Sequence, residues 1–166
     1  MMDEALLSEF CANDQEPRYY LRAPWREGDG RVLATDGRIM IVLDELPGDF
    51  PSPSPSIAKF VDTIALTCDK QWMNGWGQTW IRVSDLEIPV NAPCAWCDME
   101  EKSGCCRCYW TGIETVTMRV GEQSFQVRYM NLLKRLPDCE IAVPSDGYVA
   151  GFRFAGGVGY LAKMIP

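Results

Sequence analysis

RVLATDGRIMIVL, residues 31–43, decides how the chain is read. Val32-Leu33-Ala34 and Ile39-Met40-Ile41 are apolar runs of strand length, and the Asp36-Gly37 dipeptide between them is preferred in tight type I′ hairpins. The expectation is an antiparallel hairpin inside a β-meander. Upstream, DEALLSEFC (3–11) puts Leu6, Leu7 and Phe10 on one side and acids on the other, the pattern of a short amphipathic helix. Downstream, PGDFPSPSPS (47–56) is rich in proline and serine and reads as a semi-rigid linker marking a boundary.

Beyond that boundary Ser56 is positioned to cap a helix whose Ile57, Phe60, Val61, Ile64 and Cys68 recur at helical spacing, which makes Cys68 a buried thiol. QWMNGWGQTWIRV spaces Trp72, Trp76 and Trp80 four apart, but Asn74, Gly75 and Gly77 interrupt any helix there. A turn feeding a strand is expected, with the tryptophans either packed over a small core or forming an aromatic contact surface. IETVTMRVGEQSFQV alternates like a hairpin around Gly121. RYMNLLKRL then reads as a helix with Tyr129, Leu132, Leu133 and Leu136 on one face and Arg128, Asn131, Lys134 and Arg135 on the other. CEIAV, GYVAGFRFAGG and GYLAKMI follow as three strands, turning at Ser145-Asp146-Gly147 and Gly156-Gly157.

Composition narrows the function classes. Hydrophobic residues make up 47% of the 166 and charged residues 23%, enough apolar surface for a real core. No apolar run approaches the ~18 residues of a membrane span, and MMDEALLSEF carries acids where a secretory leader carries bases. A cytoplasmic protein with no membrane association is expected. A net charge of −7 disfavours non-specific DNA binding, which relies on Lys and Arg at phosphates, and suits docking on a basic surface. The absence of histidine removes the commonest general base and every imidazole-based metal site.

Without its middle, the chain runs helix–β–β–β and then β–helix–β–β–β. This repeat resembles one domain of a bacterial DNA sliding clamp, the β subunit of the replicative polymerase. LATDGR resembles the ATDG hairpin of those clamps, LLKRLPDCEIAVPSDG their helix, Leu-Pro turn and following strand, and FRFAGGVGYLAKMIP the last hairpin of small clamp-like proteins of phages and prophages. The resemblance implies an α+β fold. Residues 2–46 and 115–166 would form one clamp-like domain of two helix-plus-meander halves, interrupted by an insertion over 47–114. It also implies a basic helix facing DNA, to which Arg128, Asn131, Lys134 and Arg135 would correspond. The acidic first helix, with Asp3, Glu4 and Glu9, would repel phosphate, so DNA binding is expected to be weak.

PCAWCDMEEKSGCCRCYW (93–110) holds five of the eight cysteines. Cys94-x-x-Cys97 and Cys105-x-x-Cys108 can each set two thiolates on a turn, and two such turns make a tetrahedral four-sulfur cage suited to zinc. Cys106 is an alternative to Cys105 as third ligand, and local disulfides or a redox pair are the competing readings. Four sulfurs fill the coordination shell, so the expected zinc is structural rather than catalytic. PCAWC matches half of a zinc-deaminase signature, but the only upstream partner, Cys68-Asp69-Lys70, lacks the required Glu. There is no phosphate-binding GxxxxGK[ST] loop.

These residues lead to a non-enzymatic, zinc-stabilised clamp-like binding module in phage or bacterial DNA metabolism. Its expected surfaces are the zinc knuckle, Trp72, Trp76 and Trp80, and the cationic helix face. A different expectation is an acidic phage-type inhibitor that occupies the DNA-binding surface of a host nucleic-acid or CRISPR-type defence complex. Either way a protein partner is expected.

Overall fold

In the computed structural model the stretch 32–43 is a hairpin, closed by side chains rather than by the expected turn. The structure describes residues 3–14, 16–55, 57–59, 79–95, 108, 112–114, 116–144 and 149–164. Strand β2 (Val32–Thr35) pairs antiparallel with β3 (Ile39–Leu43) in the register Thr35↔Met40. A type I′ turn needs positive φ at both central residues. Here Gly37 has φ +90° while Asp36 does not enter that region. Asp36 Oδ1 instead accepts from the Arg38 and Ile39 amides at 2.8 and 3.1 Å, and Thr35 Oγ1 accepts from the Gly37 amide at 2.9 Å. The Asp serves as a local acceptor that wraps the chain around its own carboxylate.

The fold is mixed α+β, dominated by an antiparallel sheet. Helix α1 (Glu4–Ser8) is capped by Asp3, whose Oδ1 accepts from the Leu6 amide at 2.7 Å. A 3-10 turn (Tyr19–Leu21) and strand β1 (Trp25–Arg26) lead into the hairpin. Strand β4 (Ile81–Arg82) and a 3-10 turn (Val83–Asp85) follow. Hairpin β5–β6 (Thr117–Val120, Gln123–Gln126) turns at Gly121, with φ +59°. Helix α2 (Val127–Lys134) then precedes β7 (Glu140–Ala142), β8 (Val149–Phe154) and β9 (Gly157–Ala162).

Seven strands form one sheet in the order β1-β2-β3-β9-β8-β7-β4, and β5–β6 form a separate pair. Each half of the chain therefore runs from a helix into a three-strand meander. The third strands, β3 and β9, meet antiparallel at the centre, with Ile41 opposite Gly159.

Helices α1 and α2 cover one face of this sheet. Leu7 and Phe10 from the α1 end, and Tyr129, Met130 and Leu133 from α2, pack with Ala34, Ile41, Phe152 and Leu161. Burying one such side chain contributes about 1.5–3 kcal/mol. The other face holds Trp25, Leu33, Met40, Val42 and Ile57 in a smaller cluster. This is why β2 and β3 are buried throughout and lack the alternation of a one-sided strand.

Three boundaries differ from the sequence reading. The stretch expected as a semi-rigid linker is tied to the sheet at Gly48 and Pro51. Pro51 O accepts from the Arg26 amide at 2.9 Å, and the Arg26 guanidinium donates to Leu46 O at 2.6 Å, strapping the segment along β1. In the following helix Ser54 caps the start: Ile57 N donates to Ser54 Oγ at 3.4 Å, Ala58 N to Ser54 O at 3.0 Å, and Pro55 takes the first helical position, while Ser56, the expected cap, lies outside the described residues. There the missing amide of proline costs nothing. Residues 81–88, assigned by sequence to the 47–114 insertion, belong with the sheet: β4 pairs with β7, and Val83 is fully buried in the main core. A strand of two residues has too little periodicity to announce itself.

Candidate functional site

Pro93 and Ile113 form an isolated antiparallel bridge, and the Cys94 amide donates to Gly112 O at 2.9 Å. These contacts close the base of the cysteine segment and bring its two ends together. Cys94 and Cys108 are both buried and pack against one another. Cys97, Cys105 and Cys106 lie outside the described residues, as do Trp72, Trp76, Cys68 and the Ser145-Asp146-Gly147 turn. Among the described residues no group of three or more Cys, Asp or Glu could hold a metal ion.

The four polar residues of α2 and its end are brought to one side, but they do not form an open cationic face. Arg135 Nη1 pairs with Glu9 Oε2 at 2.5 Å, so the acidic first helix neutralises the second. Asn131 Nδ2 donates to Pro89 O at 3.0 Å, tying the helix to the approach of the cysteine segment. Arg128 turns toward the β2–β3 hairpin, where its Nη2 meets Asp36 Oδ2 at 3.1 Å. Lys134 is exposed. Trp80 is half-buried, with the Arg153 guanidinium 4.3 Å above its ring, and Arg153 is held in turn by Glu140 at 2.7 Å. This tryptophan is pinned at the edge of the sheet, beside β4.

The most developed polar site went unseen in the sequence. Asp36 Oδ2 accepts from the Tyr129 hydroxyl at 2.5 Å and from Arg128, whose guanidinium also donates to that hydroxyl and stacks 4.3 Å from the ring. The carboxylate thus has two amides on one oxygen and two side chains on the other. It joins the hairpin of the first half to the helix of the second. A cleft of about 510 Å³ opens beside it, walled by Glu9 at the end of α1, the 11–18 segment, the Asp36 turn, Asn91, Ile113 and α2.

Burial, reinforced by the charge of Asp36, pushes the Cys11 thiol at the cleft wall up to about 12, so it is a protonated thiol at neutral pH. The Tyr129 phenol is also pushed up, first by burial and then by Asp36. Neither is a nucleophile or base near pH 7. Nothing in the sequence pairs Asp36 with Tyr129: a hairpin Asp and a helical Tyr-Arg step carry no spacing signal across 93 positions.

Compared with protein-family models, curated proteins and solved structures, the chain gives no match.

Proposed function

We propose that this chain is a non-enzymatic, clamp-like binding module with a zinc-stapled segment, acting on a protein partner in phage or bacterial DNA metabolism. The mirrored strand order carries the reading: two helix-plus-meander halves joined at β3–β9, with α1 and α2 on one face, repeat the helix-then-strands pattern on which the sliding-clamp resemblance rests. The packing of Cys94 on Cys108 supports the zinc reading, since a four-sulfur cage needs the two CxxC turns face to face. Cys97 and Cys105 would supply the remaining thiolates. A metal held this way would fasten the segment and leave no open position for a substrate.

A protein partner is favoured over DNA by the ion pairs on α2. Arg128 and Arg135 already face Asp36 and Glu9, so a phosphate would have to compete with carboxylates for them. The same pairing and the charge of −7 favour a second reading, an inhibitor that covers the basic DNA-binding surface of a host defence or nucleic-acid-processing complex.

Protein purified under reducing conditions should contain about one zinc per chain. A fully folded, metal-free preparation would remove the staple. Duplex DNA titrated at low and high salt separates the partner classes: binding that strengthens steeply at low salt favours a DNA-engaging clamp. Capture of a nuclease complex that then loses its own DNA binding favours the inhibitor.

A further inference from the structure

We infer that strand β5 is a docking edge for a second copy of this chain, the two β5 strands pairing antiparallel about a two-fold axis at Met118. The inference rests on the β5–β6 hairpin and is independent of the clamp-like reading and of zinc. Val127 N donates to Val116 O at 2.8 Å, so this pair bonds directly across the hairpin. Direct bonding alternates from residue to residue along an antiparallel ladder. In the register Thr117↔Gln126 to Val120↔Gln123, Val116, Met118 and Val120 therefore bond toward β6, while Thr117 and Arg119 turn their N–H and C=O groups outward. On the far side of β6 the outward group is used: Ser124 O, opposite Arg119, accepts from the Met164 amide at 2.8 Å. On the far side of β5, among the described residues, the outward groups of Thr117 and Arg119 have no partner.

An open strand edge is a template for another strand, and proteins blunt such edges with proline, bulges, brevity or a covering segment. The edges of the large sheet are blunted in this way. Arg26 on β1 gives its amide to Pro51 O, and β4 is two residues long and runs straight into a 3-10 turn. Strand β5 is four residues, contains no proline and pairs one to one with β6. Its edge also complements itself, which favours a second copy over an unrelated strand. With Met118 on the axis, Thr117 of each copy lies opposite Arg119 of the other, and their outward groups make four backbone hydrogen bonds. Met118, half-buried within one chain, then meets Met118 of the second copy, and Val116 stands beside the other copy's Val120. The exposed Thr117 and Arg119 side chains share the opposite face. A register shifted by two would set Arg119 against Arg119, where like charges repel. So short a contact belongs with the weak interfaces below about 1,200 Å², and the dimer should form only at high concentration.

Sedimentation equilibrium on the full chain, at about 0.15 M salt to screen the charge of −7 on each copy, tests this. The mean mass should rise from one chain toward two as the protein is concentrated. Amide exchange followed by NMR should slow at Thr117 and Arg119 over the same range, while Met118 and Val120, bonded to β6, stay protected throughout. Thr117→Pro removes an amide that faces outward and spares the ladder to β6. It should weaken the dimer by about tenfold or more, because symmetry deletes two of the four hydrogen bonds. The variant's melting temperature checks that it is folded, and if it is not, exchange on the unaltered chain decides the matter. A chain that stays monomeric at every concentration would overturn the proposal. So would a dimer whose Thr117 and Arg119 amides still exchange freely, or one unchanged in folded Thr117→Pro.

Discussion

The two meanders share one connectivity and reach it by different packing. In the first, β2 and β3 read VLAT and IMIVL, bulky aliphatics buried on both faces of the sheet. In the second, β8 and β9 read VAGFRF and GVGYLA, and large rings alternate with glycines. Phe152 stands opposite Gly159 and Phe154 opposite Gly157, so each phenyl lies over the bare backbone of the neighbouring strand. Its outer face is more open, with Val158 36% exposed. One arrangement of strands can therefore be filled by interlocking aliphatic side chains or by rings resting on glycine. The second is the less tolerant of added atoms.

That contrast can be broken by mutation. Phe152→Ala should be the most damaging change, costing about 3–5 kcal/mol in chemical denaturation through the cavity it leaves. Gly159→Ala should cost about 1–3 kcal/mol or more, because its new Cβ would sit 2.1 Å from the Phe152 ring and 2.4 Å from the Met40 carbonyl. The backbone carbonyl cannot rotate away. If Gly159→Ala is neutral, the ring-on-glycine account of the second meander fails.

The link between the halves gives the next effect. Tyr129→Phe removes the hydroxyl from Asp36 and should cost about 1.5–3 kcal/mol, the range for a hydrogen bond to a charged group. A loss within error would mean that the two halves are joined by packing alone.

A graded effect with pH follows from the thiols, one in each half. Burial is the main cause that pushes both Cys11 and Cys139 from 9.0 to about 12. Between those values the unfolded chain releases protons that the folded chain retains, so stability is full below pH 9 and falls as pH rises toward 12. Denaturant midpoints measured from pH 8 upward should fall, and Cys11→Ala and Cys139→Ala should each flatten the slope. An unchanged slope in one variant would assign the alkaline loss to the other half. Smallest of all, Val158→Thr on the open face should change stability by no more than about 0.5 kcal/mol.

Much of the fold was legible because it rests on local signals. The helices, the hairpins and three closing strands follow from periodicity and turn residues, and α1 with the turn that ends it and α2 bury Leu7, Phe10, Tyr129 and Leu133 as their spacing predicts. Of the four cysteines that the spacing groups, Cys94 and Cys108 pack together, and Cys97 and Cys105 lie outside the described residues. What escaped was set by partners far away in the chain. The proline-serine stretch looks like a linker until Arg26 is seen holding it, and β4 is a strand only because β7 accepts it. Arg128 and Arg135 look like a cationic face until Asp36 and Glu9 are brought against them.

By itself, then, the sequence determined which segments are helices and strands, that the halves repeat, and that the cysteines form a cluster. Side-chain periodicity and spacing act over a few residues and need no knowledge of the rest. Only the tertiary structure decided that the halves join through β3 and β9, and that the hairpin aspartate meets the helical tyrosine. It also decided that three arginines and three carboxylates gather in one cleft of an acidic chain. A charge's effect is fixed by whatever lies within a few ångströms of it, and for Asp36 those neighbours include residues some ninety positions away.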